Sequence, residues 1–438
     1  LELRRTHYTD QIEKATGEVT ISGWVHEIKD LAKTRFIWVR DNHGLAQITI
    51  LKEKSSDEIL QTSEQLSRED VISVRGEPIK ERIAKVGSEL RPLQIEIVSK
   101  TKETAPLDVA DKTEANLDVR LDWRVLDLRR RENLAVFRIQ SQLVEGMEKY
   151  LRGQGFVQVF TPCLIGGSSE GGAEVFKVDF FGRNAFLRQD PQLHRQLTIA
   201  AGFDKIYDLG PSWRAELSHT PRHLCEHHAC APEFAFMKDE TDMERVEEQL
   251  VVSALSTVKE GCQAELDLLK IELRIPKTPF PELRFPEIYD ILSEYGKKIP
   301  VGEDYDREAE HLLTKHVEKE YDAEFFFVNR FPSKVKPFYV MRVDEDPTWA
   351  RSVDLVLRGV ELSSGGQREH RYEKIMAQIM EKGVDPEGLR WFTDAFKFGV
   401  PPHGGFALGI ERFTASVLNL SNLREAALFP RAPERLLP

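Results

Sequence analysis

The stretch Arg222–Phe234, RHLCEHHACAPEF, gathers His223, Cys225, His227, His228 and Cys230 into its first nine positions. Such a cluster offers zinc ligands, or a thiol beside a base. In an extended strand, however, alternate residues face opposite sides. His223, Cys225, His227 and Ala231 then share one face, and Glu226, His228 and Cys230 the other. Residues four apart on a strand are separated by about 13 Å, which zinc bonds of roughly 2.0–2.3 Å do not span without a bend. Three other segments combine arginine, carboxylate and glycine. WRAELSHTPRHL carries Arg214, Glu216, Arg222 and His223; VDLVLRGVELSSGGQREH carries Asp354, Glu361, Ser364 and Arg368; PPHGGFALGIERF joins a glycine-rich strand to a helix with Arg412 in its first turn. Carboxylates with a hydroxyl form the hard-oxygen set that suits Mg²⁺ held together with substrate phosphates. Arg412 adds its charge to the free N–H groups of a helix start, an anion site, and Arg214 offers planar donors to phosphate or carboxylate. Any one of these alone reads as an ordinary salt bridge; together they favour a nucleotide site.

The elements that must position these residues fall into two regions of the 438-residue chain. Residues 1–103 show five strand-like runs, VTISGWVHEI, RFIWVRD, AQITILK, DVISVRGEPIK and LQIEIVSK, with a helix-like SSDEILQTSEQL in the third gap. That order predicts an OB-fold barrel, a frequent binder of single-stranded nucleic acid, with a generic small barrel as the alternative. Residues 104–132 are polar and turn-prone and read as a hinge ending in Arg129-Arg130-Arg131, either a solvated helix start or a contact for backbone phosphates. From residue 133 to 438 an α+β domain is expected. Ile139, Leu143, Met147 and Leu151 mark an amphipathic helix, and VQVFTPCL, FDKIYDLGPSWRAE, EHHACAPEFAFM, VDLVLRGVELSSGG and GGFALGIERF are strand candidates. Strands so scattered predict a mixed antiparallel sheet rather than a doubly wound one. The sequence has neither GxGxxG nor GxxxxGK[ST]. The formal charge of −12 argues weakly against a general nucleic-acid coat without excluding a local basic face. Four cysteines in such a chain read as free thiols. No apolar run approaches the length of a membrane helix, so a cytoplasmic protein without a membrane partner is expected.

FTP after an amphipathic helix, WRAE…RHL and GFALGIERF resemble motifs 1, 2 and 3 of the class II aminoacyl-tRNA synthetases. The N-terminal barrel, SSGGQREH and the ending ALFPRAPERLLP narrow the resemblance to the aspartyl-tRNA synthetases of archaeal/eukaryotic type, class IIb, over essentially the whole chain. The resemblance implies an OB-fold anticodon-binding barrel and a class II antiparallel-sheet catalytic domain of six to seven strands. It implies a homodimer formed through motif 1 near Pro162, with L-aspartate, ATP with Mg²⁺, and tRNA-Asp as partners. It implies Glu170, Gln192, Leu193, His194, Arg195, Arg214, Ser364 and Arg368 around the aspartate. It places Arg214, Ala215, Glu216, Arg222, His223, Leu224, His227, Glu361, Gly409, Ile410, Glu411 and Arg412 around ATP, and Glu361, Ser364 and Asp354 on Mg²⁺. Arg214 and Arg412 would carry the catalysis, and His26, Phe36, Gln47 and Lys85 would meet tRNA. For Phe36, a place in the barrel core stays open as the alternative.

Several residues depart from the family pattern. Arg195 stands where the family has Lys, and the two are not interchangeable at a fitted site. Asp190 stands where a small polar residue is usual, Leu217 replaces an acidic residue, and Ala231 stands where an Asp holds the substrate amino group. His26 and Lys85 point in opposite directions on whether tRNA-Asn is charged beside tRNA-Asp, which leaves that choice open. An asparaginyl-tRNA synthetase is the near alternative, and Arg368 with Arg195 argues against it because an amide needs no paired cation. A tRNA-binding paralogue without activity is the alternative from another class, supported by Ala231 and Asp190.

Overall fold

The computed structural model describes residues 2–80, 87–110, 115–166, 175–217, 220 and 222–437. Glu170 and Lys85 lie outside the described residues. Contacts divide the chain into two units, residues 1–134 and 135–437.

In the first unit, β1 (Val19–Asp30), β2 (Thr34–Arg40), β3 (Leu45–Leu51), β4 (Val71–Pro78) and β5 (Ser88–Ser99) close into a barrel in the order β1-β2-β3-β5-β4. Period-two alternation builds it: Ile21, Ile37, Val39, Ile48, Ile50, Ile72 and Val74 point inward as one apolar cluster. The helix Asp57–Glu64 occupies the gap between β3 and β4, started by Ser56, whose side chain accepts a hydrogen bond from the Ile59 amide. These are the features of an OB-fold. The stretch read as a hinge contains two short helices, Leu117–Asp122 and Arg124–Asp127. What orders it is Asp127, fully buried, which accepts hydrogen bonds from Arg120 (2.9 Å) and Arg124 (2.6 Å). A charge-rich sequence hides that arrangement, because the charges satisfy one another.

In the second unit the helix Arg131–Gly153 buries Ile139, Leu143, Met147 and Leu151 along one face, as their spacing predicts. Gly146 lets the helix Glu240–Gly261 approach closely, since a Cβ there would meet the Ala254 Cα at 2.6 Å. The strands are β6 (Val157–Val159), β7 (Leu164–Ile165), β8 (Lys177–Phe180), β9 (Arg183–Leu187), β10 (Lys205–Trp213), β11 (Glu226–Ala235), β12 (Glu282–Arg284), β13 (Phe325–Asn329), β14 (Ser352–Leu357), β15 (Val360–Gln367) and β16 (His403–Gly409). Eight form one sheet in the order β12-β13-β14-β15-β16-β11-β10-β6. From β13 to β10 every neighbour is antiparallel, while β12 and β6 join the two edges in parallel. The sheet is therefore mixed and one strand wider than the six or seven expected. VDLVLRGVELSSGG, read as one strand, is a hairpin, because Arg358 and Gly359 both take positive φ (49° and 74°) and turn the chain in two residues. This turn sets β14 against β15 so that Asp354 lies opposite Ser364.

Candidate active site

The sheet's open face carries a cavity of about 360 Å³ between β11, β15, β16 and the helix Gln192–Ala200. Its floor is a polar network. Arg368, at the end of β15, donates from Nε to Glu233 Oε1 (2.9 Å), and from Nη2 to Gln192 Oε1 (2.7 Å) and the Gly405 carbonyl (2.8 Å). Among the described residues no protein partner meets its Nη1. Burial alone would raise the Glu233 carboxyl, but the charges of Arg368 and Arg195 outweigh it and hold the acid below its ordinary value. Glu233 therefore stays ionised although fully buried. Gly405 is required beside it: a Cβ there would fall 2.1 Å from the Pro232 carbonyl oxygen.

Arg195 differs from its expected role. Its side chain is 1 % exposed. Nη1 donates to the Phe406 carbonyl (2.9 Å) and Nη2 to Gln192 Oε1 (2.6 Å) and Asp190 Oδ1 (3.2 Å). It braces β16 and the floor through its two terminal nitrogens, while its buried Nε meets no partner among the described residues. Gln192 and Arg195 face the cavity one helical turn apart, whereas Leu193 and His194 do not line it. Leu193 packs into an apolar cluster with Phe338 and Phe392, and His194 lies beside Trp391 with ring centroids 5.2 Å apart. Successive helical residues point about 100° apart, so four consecutive residues cannot all reach one ligand.

The β10–β11 hairpin supplies the opposite wall. Arg214 follows β10 and approaches Glu216 (3.6 Å), which also faces His223 (3.7 Å). Glu216, Arg222, His223 and Leu224 line the cavity; Ala215 does not. His227 and His228 take opposite faces of β11. His228 turns to Glu411, which accepts from its backbone N–H (2.9 Å) and pairs with its Nδ1 (2.8 Å). His227 lines the cavity, and burial first, then the charge of Arg214, lowers its pKa to about 4, so it is neutral at pH 7. His223 precedes the strand rather than sharing its face with His227.

Gly409, Glu411 and Arg412 line the third side, while Ile410 is buried beneath. Arg412 donates to the Glu361 carbonyl (2.9 Å), fixing the helix Ile410–Val417 against β15. Glu361 and Ser364 face the cavity, and Asp354, beside Ser364 on the neighbouring strand, does not line it. Burial first, then the charge of Asp354, raises Glu361 to about 7. Lys336, which the sequence reading missed, lines the cavity 3.1 Å from Asp354. Two carboxylates crowded so that one resists ionisation, beside a hydroxyl, fit a divalent cation that shares its shell with phosphates.

In the barrel unit, Phe36 and Trp38 stand on the outer face, opposite buried Ile37 and Val39, so Phe36 is not a core residue. Trp38 pairs in register with Gln47, and Phe36 with Thr49. Gln47 donates to Thr49 Oγ1 (3.1 Å) and Glu89 Oε1 (3.2 Å). An aromatic pair beside fixed polar groups suits stacking and edge reading of unpaired bases. His26 lies apart, with Nδ1 2.9 Å from Arg40, which pairs with Glu69.

The family description "tRNA synthetases class II (D, K and N)" matches residues 116–433, and "OB-fold nucleic acid binding domain" matches residues 19–98. The chain is 44 % identical over 436 residues to an aspartate–tRNA(Asp) ligase of Pyrococcus furiosus, covering 99 % of this chain and 100 % of that protein. It is 42 % identical over 426 residues to an aspartate–tRNA(Asp/Asn) ligase of Methanopyrus kandleri, covering 97 % of both. Among solved structures it is similar to asparaginyl-tRNA synthetase from Pyrococcus horikoshii complexed with asparaginyl-adenylate, with TM-score 0.91, 32 % identity and full coverage of both chains. A cavity floored by buried arginines, walled by an antiparallel hairpin and accompanied by an OB-fold barrel is what this match accounts for: the chain belongs to the class II tRNA synthetases of the D, K and N group.

Proposed function

We propose that this protein is an aspartate–tRNA ligase that joins L-aspartate to tRNA-Asp at the expense of ATP. The carrying observation is the floor around Arg368. Arg368 and Arg195 share one buried carboxylate, Glu233, Arg195 turns its second nitrogen to Asp190, and Nη1 of Arg368, without a protein partner among the described residues, is placed to meet a side-chain carboxylate. An asparagine amide has no charge to match it.

The substrate α-carboxylate, anionic at neutral pH, attacks the α-phosphorus of ATP. A carboxylate–phosphorus bond forms as the bond to pyrophosphate breaks in line. Positioning and charge neutralisation do this work without a protein nucleophile. Arg214, partly exposed on the cavity wall, bridges the α-carboxylate and α-phosphate. Arg412, at a helix start, meets the departing phosphates. Neutral His227 offers a flat ring to adenine. Glu361 and Ser364, with Asp354 beside Ser364, would hold Mg²⁺, which supplies charge to the phosphates. A terminal ribose hydroxyl of tRNA then attacks the adenylate carbonyl, releasing AMP. Amino-acid-dependent ATP–pyrophosphate exchange tests the reading. Exchange with aspartate supports it, and exchange with asparagine alone overturns it.

The barrel, followed by residues 104–132 as a connector, is the anticodon reader in this proposal. Replacing Phe36 with Ala removes one stacking platform, worth about 1–3 kcal/mol. The KM for tRNA is expected to rise roughly tenfold, with pyrophosphate exchange unchanged. tRNA-Asn is the second acceptor in view, supported by the name of the Methanopyrus relative and by His26. Aminoacylation of each purified tRNA measures the preference.

A second copy of the chain is proposed to cover the β6 edge, consistent with a strand that among the described residues pairs on one side only and is followed directly by exposed Phe160 (83 %). Phe160→Asp is expected to yield monomer in sedimentation at concentrations where the parent is dimeric. No helix among the described residues is long and apolar enough to cross a membrane; a cytoplasmic location, where ATP and tRNA meet, belongs to the same proposal.

A further inference from the structure

Building on the aspartate-activating reading above, we infer that Asp190 receives the α-ammonium group of the substrate and so sets the amino-acid end of the site. An amino acid with a carboxylate side chain brings two negative groups and one positive group. A wall that holds it needs an acceptor beside its cations.

Among the described residues, the acids that line the cavity are Asp190, Glu216, Glu361 and Glu411. Three are committed away from the floor. Glu216 faces Arg214 and His223, Glu411 is held by His228, and Glu361 stands by Arg412 on the phosphate side. Glu233 is fully buried and engaged by Arg368 and Gln192. Asp190 remains. It precedes the helix that carries Gln192 and Arg195, and its Oδ1 accepts from Arg195 at 3.2 Å. Arg195 is 1 % exposed while the Asp190 side chain is 23 % exposed, so the carboxylate is tethered from behind and open in front. It lines the same cavity as Arg368, Arg214 and His227, so its open side faces the space that an amino acid bound to those arginines would fill.

The register explains why Ala231 does not leave the ammonium unmatched. Ala231 sits opposite Asp208, is 1 % exposed and does not line the cavity. Asp208 is itself bound to Arg188 (3.2 Å) and Thr161. The acceptor has moved from the strand to the start of the helix. Arg195 in place of a shorter-reaching lysine anchors it there through a second guanidinium nitrogen.

The test compares L-aspartate with succinate, which has the same two carboxylates and no amino group. In Asp190→Asn, the aspartate KM in pyrophosphate exchange is expected to rise roughly 10- to 100-fold, with the KM for ATP and the inhibition constant of succinate unchanged. Equal weakening of aspartate and succinate would show that Asp190 only positions Arg195, and the inference falls. An unchanged aspartate KM also overturns it, in an enzyme that still activates aspartate. Absence of aspartate-dependent exchange in the parent overturns the broader reading and this one with it. Should Asp190→Asn not fold, Asp190→Glu displaces the charge and gives the same comparison, with the same outcomes deciding.

Discussion

Arg368→Gln is expected to lower kcat/KM for aspartate by about a thousandfold, the scale of losing a preorganised charged donor in a dry site. The same change strands Glu233, which is fully buried and whose ionised state depends on Arg368 before Arg195. Removing one partner of a buried pair costs about 3–5 kcal/mol because the other charge is left uncompensated. Arg195 still lies 3.8 Å away, so the loss should fall at the lower end. The double variant Arg368→Gln/Glu233→Gln separates the two effects: urea unfolding should show much of the stability restored, while pyrophosphate exchange stays lost. Recovery of both together would mean that Arg368 serves the fold alone.

Stability is expected to be higher near pH 6 than at pH 8. Glu244 and Glu247, on the helix Glu240–Gly261, are raised to about 8, chiefly by burial. Glu247 faces Ser363, with the charges of Asp354 and Glu244 nearby; Glu244 faces Asn329, Glu282, Glu240 and Arg284. In the unfolded chain both acids titrate near their ordinary values, so the folded state holds extra protons between roughly pH 4.5 and 8. Their contribution is fully present below pH 4.5 and is lost as pH rises through about 8. For Glu247 this amounts to about 2 kcal/mol between pH 6 and pH 8. His227 and His403, lowered to about 4 chiefly by burial, act in the other sense. The stability associated with their neutral forms is present above pH 6.5 and is lost as pH falls toward 4. The two sets oppose one another between about pH 4.5 and 6.5 and leave a plateau there. Calorimetry at pH 6 and pH 8 on the metal-free protein checks the alkaline side, and Glu247→Gln should flatten it.

Much of the chemistry was legible because it lies in short contiguous runs. Arg214, Glu216, Glu361, Ser364, Arg368 and Arg412 sit in segments whose strand or helix start is written locally, and the cavity gathers them. The barrel was legible for the same reason: alternation along each strand reports which face is buried. What escaped depends on pairs distant in sequence. Lys336 reaches Asp354 from a loop with no periodic pattern, and Glu233 draws its importance from partners at 195 and 368. The run FFFVN of β13 was passed over although a continuous apolar run of this length suits a buried strand. Leu193 and His194 were grouped with Gln192 because a contiguous range carries no information about helical direction. Asp190 and Arg195 are separate departures from the family in the sequence, whereas the structure brings them into contact.

Gln192 Oε1 accepts from both Arg195 and Arg368, Glu233 faces both arginines and closes the circuit between them, and the Gly405 carbonyl holds Arg368 in place. Such a ring has no independent members. Substitutions within it will not combine additively, and a neutral-looking exchange at one position is viable only in company with another. Asp190, Gln192, Arg195, Glu233, Arg368 and Gly405 therefore form a single coupled unit. Transplanting any one of them into a relative should fail where transplanting the set succeeds.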